Sequence, residues 1–234
     1  MPHKAVGIVV AMRRELASLL RGGKAISIDG VDVFELDSAV VAVGGIGKDA
    51  AQKAARALVK TYKPDVMVSA GIAGALTERL RVGDVIHASE VVDAATGQSF
   101  SADGNGATVV TVSSVSGEAE KRRLASGWHA DVVDMEASAV AQVAQEFGIA
   151  FAVVKSVSDE LSFAMPPVGD FVDAAGQFET VRFAVYLAFR PQWWGVVRDL
   201  NAHARTASVK LSDALHHLID QRSQTAAKGD IVKA

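Results

Sequence analysis

The feature that most constrains the fold of this chain is a strand–helix–strand pattern in residues 131–159. Two short apolar runs flank a segment whose apolar residues recur at helical spacing, namely Ala137, Val140, Ala141, Ala144 and Phe147. The first run ends at Met135 and Glu136, and the second ends at Ser158 and Asp159. In parallel α/β sheets, ligands bind beyond the carboxyl ends of the strands. The two acidic residues therefore predict a site at one edge of a sheet.

Composition limits the class of protein. The 234 residues are 50% hydrophobic, which is enough for one substantial core. A net charge of -3 argues against sequence-independent binding of nucleic acid, which needs a basic surface. The absence of cysteine excludes disulfides, thiolate metal sites and cysteine nucleophiles, and it favours a cytoplasmic protein. The first apolar run, residues 5–12, is too short for a signal sequence or a membrane span, so no stable membrane insertion is expected.

The order of apolar runs and helical segments predicts an α/β fold. We expect a single-domain three-layer sandwich, with a central mixed, mostly parallel twisted sheet flanked by helices and an extra C-terminal helix. The predicted boundaries are a main α/β domain in residues 1–190, a helical extension of the same domain in 191–222, and a mobile tail in 223–234.

Three segments after residue 90 are predicted from local composition. Residues 94–106 are small, polar and glycine-rich, which is typical of an exposed loop. Residues 162–173 contain Pro166-Pro167 and are predicted to be an irregular lid or wall near the site. Residues 174–189 are predicted to be an amphipathic helix, and a last helix is expected from Gln192 to about Arg222, with Trp193-Trp194 packed on the domain or a partner.

Two glycine-rich turns follow predicted strands. Gly44, Gly45 and Gly47 open a helix, where backbone N–H groups can face an anion; tight packing of strand against helix explains them equally well. The turn has neither a Walker A sequence nor a complete GxGxxG pattern. Gly71 and Gly74 lie at another strand end, where backbone can approach a ligand.

A third acid, Glu15, directly follows the first strand. By position alone, the simpler interpretation is an acid in the first turn of a helix, which stabilises the helix dipole by about 0.3–1 kcal/mol. Its place beyond a strand's carboxyl end nevertheless matches that of Asp159.

Several of these segments occur together in a characteristic order: GIVVAMRRELASLL, VGGIGKDAAQKAA, KPDVMVSAGIAGAL with RVGDV, DVVDMEASAVAQVA and FAVVKSVSDE. As an ordered set they resemble the nucleoside phosphorylase and nucleosidase superfamily, most closely its 5′-methylthioadenosine/S-adenosylhomocysteine nucleosidases. The resemblance covers roughly residues 5–92 and 131–160. It implies a nucleosidase that hydrolyses the N-glycosidic bond of a purine nucleoside and releases a free base and a 5′-substituted ribose.

The resemblance also implies roles for individual residues. Asp159 corresponds to the general acid that protonates N7 of the purine, which burial would have to hold protonated. Glu15 corresponds to the carboxylate that activates water, and Glu136 to the residue that holds the ribose hydroxyls, with Met135 on the sugar face. The helix-dipole interpretation of Glu15 then gives way. The simpler alternatives are a helix or loop cap for Asp159 and a helix N-terminal acid for Glu136. The expected substrate-binding residues are Glu136, Met135, Ser158, Gly71, Ile72, Gly45 and Met12.

The departures from the family pattern leave the substrate open. Ile72 in GIAG replaces a polar residue, as in futalosine hydrolases and hopanoid-associated nucleosidases, and Lys155 stands where an arginine is usual. The region between Asp84 and Met135 is shorter than usual. The alternatives are therefore a hydrolase for those nucleosides, a phosphorylase that uses Arg13 and Arg14, or a non-catalytic nucleoside-binding protein.

No metal or cofactor is predicted, because the histidines form no cluster with carboxylates. They are expected at the surface and are His3, His87, His129, His203, His216 and His217. The expected partners are a small purine nucleoside and a second copy of the chain in a homodimer.

Overall fold

The structure is a computed structural model that describes residues 4–173 and 175–231. Ten strands form one sheet: β1 Val6–Val10, β2 Lys24–Ile28, β3 Val31–Glu35, β4 Ala39–Val43, β5 Val66–Ala75, β6 Val85–Asp93, β7 Ser99–Ser101, β8 Ala107–Thr111, β9 Val132–Asp134 and β10 Ala150–Asp159. The α-helices are α1 Lys48–Tyr62, α2 Glu118–Trp128, α3 Ala137–Glu146, α4 Thr180–Ala188 and α5 Trp194–Ile231. Short 3-10 helices span Arg13–Leu16, Val168–Phe171 and Pro191–Trp193.

The sheet is mixed and partly closed. Its order is β10-β6-β8-β9-β5-β1-β4-β3-β2, and an additional pairing joins β10 to β5, so five strands form a ring. Strands β1, β4, β5 and β10 pair in parallel, whereas β6 pairs antiparallel with β10 and β9 antiparallel with β5. The prediction of a mixed α/β sheet with a C-terminal helix is confirmed. The expected three-layer sandwich around a mostly parallel sheet is corrected in part, because β5 hydrogen-bonds to both β9 and β10 and so closes part of the sheet into a ring.

Helices cover the sheet because their small and apolar residues share one face. In α1, Ala51, Ala54, Ala55 and Leu58 are buried at the i, i+3, i+4, i+7 spacing of an amphipathic helix. Lys63 ends this helix in the left-handed conformation, with φ 49°. On another face of the sheet, α5 buries Leu211 and Leu215 in a core shared with Leu16.

The carboxyl ends of β1, β5 and β10 lie at one edge because these neighbouring strands are parallel. β9 runs antiparallel to β5, with Val133 opposite Gly74, so the residues after β9 continue alongside Gly71–Ala73. Glu15 follows β1, Glu136 follows β9, and Asp159 is the last residue of β10. The topology therefore brings the three predicted acids to one edge of the sheet.

Two expectations about local structure are wrong in part. Residues 94–106 contain β7, which pairs with β6 and buries Phe100 in the core. The sequence does not reveal this strand, because Phe100 is a single inward-facing aromatic residue between polar neighbours. The helix predicted over 174–189 begins only at Thr180; before it, Val172 and Phe178 form an isolated bridge, and Ala174 lies outside the described residues.

The C-terminal helix is longer than expected and runs from Trp194 to Ile231. The predicted division of the chain at residues 190 and 222 stays a prediction, and residues 232–234 lie outside the described part. No helix within the described residues is both long and apolar enough to cross a bilayer.

Replacing Phe100 by alanine tests the role of β7. Phe100 is 7% exposed, and its loss removes a buried ring from the core, so the free energy of unfolding should fall by about 3–5 kcal/mol. Denaturant unfolding measures the change. Phe189→Ala, at a side chain that is 80% exposed, is the control and should shift stability by no more than about 0.5 kcal/mol. Equal effects of the two substitutions would contradict the assigned core position of β7.

Candidate active site

A cavity of about 420 Å³ opens at the sheet edge where the strand ends converge. Seven of the nine predicted site residues line it: Met12, Glu15, Ile72, Met135, Glu136, Ser158 and Asp159. The cavity also has an apolar side made by the segment before α4 and by α4 and α5, including Met165, Val168, Phe178, Phe183, Leu187, Val197 and Leu200. The predicted wall in residues 162–173 is therefore observed, and the C-terminal helix contributes to the same wall.

Glu15 lies in the 3-10 helix that follows β1 and is 2% exposed. Burial, together with the nearby charge of Glu136, raises the pKa of Glu15 from 4.5 to about 8. The Ile72 backbone hydrogen bond and the charges of Lys155 and Arg14 oppose this rise but do not cancel it. Glu15 therefore holds a proton in most molecules at neutral pH.

Glu136 is the N-cap residue of α3, and the glycine turn after β4 holds its carboxylate. The Gly47 N–H donates to Oε1 of Glu136 at 2.8 Å, and the Met135 N–H donates to Oε2 at 3.3 Å. Burial and the neighbouring Asp134 raise the pKa of Glu136 to about 7. A backbone N–H of the glycine turn thus faces a carboxylate of the protein itself.

Lys155, in the middle of β10, is fully buried beneath the acids. Its Nζ lies 2.7 Å from Oδ2 of Asp134. Burial alone would lower the pKa of Lys155, but the facing carboxylates raise it overall; they belong to Asp134, Glu136 and Glu15. Asp134 also accepts hydrogen bonds from the Thr111 hydroxyl at 2.7 Å and from the Ala137 N–H at 2.9 Å.

One buried ammonium therefore serves three buried carboxyl groups. Asp134 forms the direct ion pair with Lys155, and the two glutamates receive weaker stabilisation from the same cation. Because an unpaired buried charge is costly, the glutamates respond by binding protons more strongly. The site consequently changes its charge near neutral pH.

Asp159 ends β10 and is 5% exposed. The Ser158 hydroxyl donates to Oδ1 of Asp159 at 2.7 Å, and the Lys121 ammonium contacts Oδ2. Lys121 is itself 1% exposed and also donates to the Glu160 carbonyl at 2.8 Å. Asp159 and Lys121 therefore form a buried ion pair at the end of β10.

Two predicted binding glycines do not line the cavity. Gly71 has φ +152°, and a Cβ there would lie 3.0 Å from Oε2 of Glu15, so its role is to make room for that carboxyl group. Gly45 has φ +106°, and a Cβ there would lie 3.2 Å from the Ala175 carbonyl and 3.3 Å from Ala50, so close packing of backbone explains it. Both glycines therefore make room for neighbouring groups of the protein, and neither lines the cavity.

Sequence reasoning missed Lys121 and Asp134. Lys121 shares a face of α2 with Leu124 and Trp128 at helical spacing, and this pattern was the available signal that its side chain points inward. Asp134 lies within the segment that defines the site, two residues before Glu136, but nothing in the sequence pairs it with Lys155.

No group of three potential metal ligands occurs within the described residues. Among the histidines, His129, His216 and His217 are exposed, His87 and His203 are half-buried, and His3 lies outside the described part. His203 packs edge-on against Phe163, with the ring centroids 5.6 Å apart.

Comparison with known proteins identifies the family. The family model of the phosphorylase superfamily matches residues 5–107 and 95–189. The chain belongs to the phosphorylase superfamily. A 5′-methylthioadenosine/S-adenosylhomocysteine nucleosidase from Actinobacillus succinogenes is 32% identical over 195 residues, which cover 66% of this chain and 85% of that protein. The resemblance read from the ordered segments is thereby confirmed.

Solved structures of the superfamily share the fold. Futalosine hydrolase of Helicobacter pylori superposes with a TM-score of 0.70 at 17% identity, covering 93% of this chain and 98% of that one. A 5′-methylthioadenosine/S-adenosylhomocysteine nucleosidase from Colwellia psychrerythraea, in complex with adenine, gives 0.70 at 21% identity and covers 94% and 95%. At sequence identities of 17% and 21%, this structural similarity supports the fold alone.

Replacing Glu15 by glutamine tests its raised pKa. Between pH 4.5 and about 8, the unfolded chain has released this proton while the folded protein retains it, so stability falls as pH rises through that window. Glutamine cannot ionise, so Glu15→Gln should nearly match the wild type near pH 4.5 and exceed its unfolding free energy at pH 8 by roughly 4 kcal/mol, since each unit of pKa difference corresponds to about 1.4 kcal/mol. Denaturant unfolding at both pH values measures this difference.

Glu146→Gln is the matched control for that experiment. The Arg56 hydrogen bond lowers the pKa of Glu146. Glu146 is therefore ionised above pH 5 in both the folded and the unfolded protein, and the substitution should leave the pH dependence of the unfolding free energy between pH 5 and 8 unchanged. A Glu15→Gln protein with the wild-type pH dependence would show that Glu15 ionises normally.

Proposed function

We propose that this superfamily member is a nucleosidase that hydrolyses the N-glycosidic bond of a purine nucleoside carrying a 5′ substituent. The observation that carries this proposal is the convergence of Glu15, Glu136 and Asp159 on one cavity. The class of enzyme, an N-glycosyl hydrolase, is the one shared by the nucleosidases to which the chain is similar. A non-catalytic binding protein would have no use for a third, water-activating acid.

Asp159 is proposed as the general acid. Departure of the purine leaves negative charge on the base, and a proton delivered to N7 neutralises it. Asp159 lines the cavity, and the Ser158 hydroxyl orients its carboxyl group. The Lys121 ammonium also contacts this carboxyl group, at Oδ2, so the base would share Asp159 with Lys121.

Glu15 is proposed as the group that activates water. Cleavage proceeds through a ribosyl group with oxocarbenium character, and water must attack the anomeric carbon. A base has to be ionised to accept a proton, and with a pKa of about 8 the ionised fraction of Glu15 grows as pH rises through neutrality. A pKa near the working pH is suited to general-base catalysis.

Glu136 is proposed to hold the ribose hydroxyls. The Gly47 and Met135 N–H groups fix its carboxyl group and leave further lone pairs free to accept from a diol. Met135 and Met12 also line the cavity and would offer apolar contact to the sugar. Glu136 is also the N-cap residue of α3, although its side chain makes no capping hydrogen bond, so a role as a helix N-terminal acid can coexist with sugar binding.

The apolar side of the cavity is proposed to accept the 5′ substituent. With the base at Asp159 and the ribose at Glu136, the remaining volume is bounded by α4 and α5, through residues such as Leu187 and Val197. Aliphatic walls favour a thioether or alkyl group over a hydroxyl, because a buried hydroxyl without a partner is unfavourable.

Phosphorolysis is the second candidate, favoured by one observation. Arg14 lines the cavity and could contact phosphate, whereas Arg13 stacks on Phe34 with its guanidinium carbon 4.9 Å from the ring centroid. Phosphate binding generally uses several charge-assisted hydrogen bonds, and Arg14 is one donor group. Hydrolysis is therefore the better-supported reaction. The homodimer and the cytoplasmic location stay predictions.

Release of free base tests the reaction. Incubation with 5′-methylthioadenosine, S-adenosylhomocysteine, futalosine and inosine, with and without phosphate, should show phosphate-independent release of a purine. Asp159→Asn cannot donate an acidic proton and should lower kcat/KM by at least about 100-fold, while Asp213→Asn, at an exposed position on α5, should retain full activity. Release that requires phosphate would establish the phosphorylase instead, and no release from any nucleoside would overturn the enzyme proposal.

The 5′ pocket is tested by Leu187→Asp. A carboxylate in the apolar wall should reduce the preference for a 5′-methylthio over a 5′-hydroxyl nucleoside of the same base by roughly 10-fold. The ratio of kcat/KM for the two nucleosides measures this preference. Val209→Asp, on the exposed face of α5, is the control and should leave the ratio unchanged. An unchanged ratio in Leu187→Asp would place the 5′ group elsewhere.

A further inference from the structure

The buried ion pair of Lys121 with Asp159 is not explained by stability. Lys121 is 1% exposed, and withdrawing an ammonium from water costs about as much as a buried partner returns, so such pairs are weak sources of stability. Unlike Lys155, which lies beneath the acids, Lys121 also lines the cavity. The lysine therefore faces the space that a ligand of Asp159 would occupy.

The surrounding backbone is shaped to admit this pair. Gly74 lies opposite Asp159 in the β5–β10 pairing. A Cβ at Gly74 would lie 3.0 Å from Oδ2 of Asp159 and 3.0 Å from Cε of Lys121. A side chain at this position would therefore crowd both members of the ion pair.

Both oxygens of the Asp159 carboxylate already have donors. The Ser158 hydroxyl donates to Oδ1, and Lys121 contacts Oδ2. Lys121 also reaches the carbonyl oxygens of Glu160 at 2.8 Å and of Asp159 at 3.3 Å, and the longer of these hydrogen bonds is the weaker one. An ammonium has three donors and no acceptor, so this corner of the cavity offers donors to a ligand.

Purines differ at the edge that would meet this corner. The edge with N7 and position 6 carries two acceptors in a 6-oxopurine, but one acceptor and one donor in a 6-aminopurine. We propose that Lys121 makes the site select 6-oxopurine nucleosides over 6-aminopurine nucleosides. Asp159 donates to N7, and Lys121 exchanges its 3.3 Å contact with the Asp159 carbonyl for O6 of the base. A 6-amino group at the same place meets an ammonium, donor against donor.

This inference rests on the proposed function, because it takes N7 of the base to face Asp159. It deepens that function by naming the class of purine. It also gives the lysine a second effect during bond cleavage, since charge that develops on O6 of the departing base lies next to a fixed cation.

The test compares two substrates that differ only at position 6, 5′-methylthioinosine and 5′-methylthioadenosine. The wild-type protein should have the higher kcat/KM for the inosine compound. Lys121→Met should lower this preference by roughly 10- to 100-fold, the discrimination expected of a paired base edge. Arg123→Met, at an exposed position on the same helix, is the matched control and should leave the ratio unchanged.

Two further measurements keep the outcome decisive. Lys121→Gln can accept as well as donate and should retain part of the activity on both substrates, with the preference reduced, which covers the case in which Lys121→Met does not fold. Calorimetric titration of the wild-type protein with hypoxanthine and adenine measures the base preference without chemistry, and hypoxanthine should bind more tightly.

The results separate the two proposals. Tighter binding of hypoxanthine without hydrolysis of either nucleoside would overturn the proposed reaction and leave the selectivity of Lys121 standing. Hydrolysis with a preference for the adenosine compound, or a ratio that Lys121→Met and Lys121→Gln leave unchanged, would overturn the selectivity and leave the reaction standing.

Discussion

The site depends on the burial of one ammonium group, that of Lys155, against Asp134. The Nζ–Oδ2 distance is 2.7 Å, so Asp134 takes the direct contact with this ammonium. Burial raises the pKa values of Glu15 and Glu136 to about 8 and about 7, and the charge of Lys155 offsets these rises only in part. Glu15 and Glu136 can therefore exchange protons near neutral pH, because the buried ammonium of Lys155 pairs directly with Asp134 and not with them.

The long pairing of β5 with β10 makes that burial possible. The two strands run side by side over residues 66–74 and 150–159, so Lys155 lies opposite Gly71, and Asp159 lies opposite Gly74. At both positions a missing Cβ leaves room for charged groups: Glu15 and Lys155 near Gly71, and Asp159 with Lys121 near Gly74. Two glycines on one strand thus hold the space for two separate buried ion-pair networks.

How far the sequence predicts this site depends on how local each feature is. The strand–helix–strand of residues 131–159 is visible because its periodicity and its terminal acids lie within one continuous segment. The order of the segments along the chain revealed the resemblance to the family. That resemblance in turn placed Glu15 in the same site as Asp159, which is far from it in the sequence. These features need only local pattern and chain order.

Other features depend on contacts that local pattern does not record. Lys121 reaches Asp159 only because α2 is rotated to bury one lysine of a strongly charged helix. The closure of the sheet depends on the pairing of β5 with two partners, and the cavity wall depends on how α4 and α5 pack. Sequence periodicity specifies which face of an element is apolar, but not what that face meets.

The closed ring of strands limits where another chain could pair with this sheet. An open sheet ends in two edge strands whose unpaired N–H and C=O groups can recruit another chain, and closure removes such an edge. In the described part of the sheet, the ends of the pairing order are β2 at one side and the three-residue β7 beside β6. β2 has exposed Lys24 and Ala25, and β7 is too short to template a long ladder. Closure therefore leaves few free strand edges, in the described part of the sheet, at which another chain could add a strand.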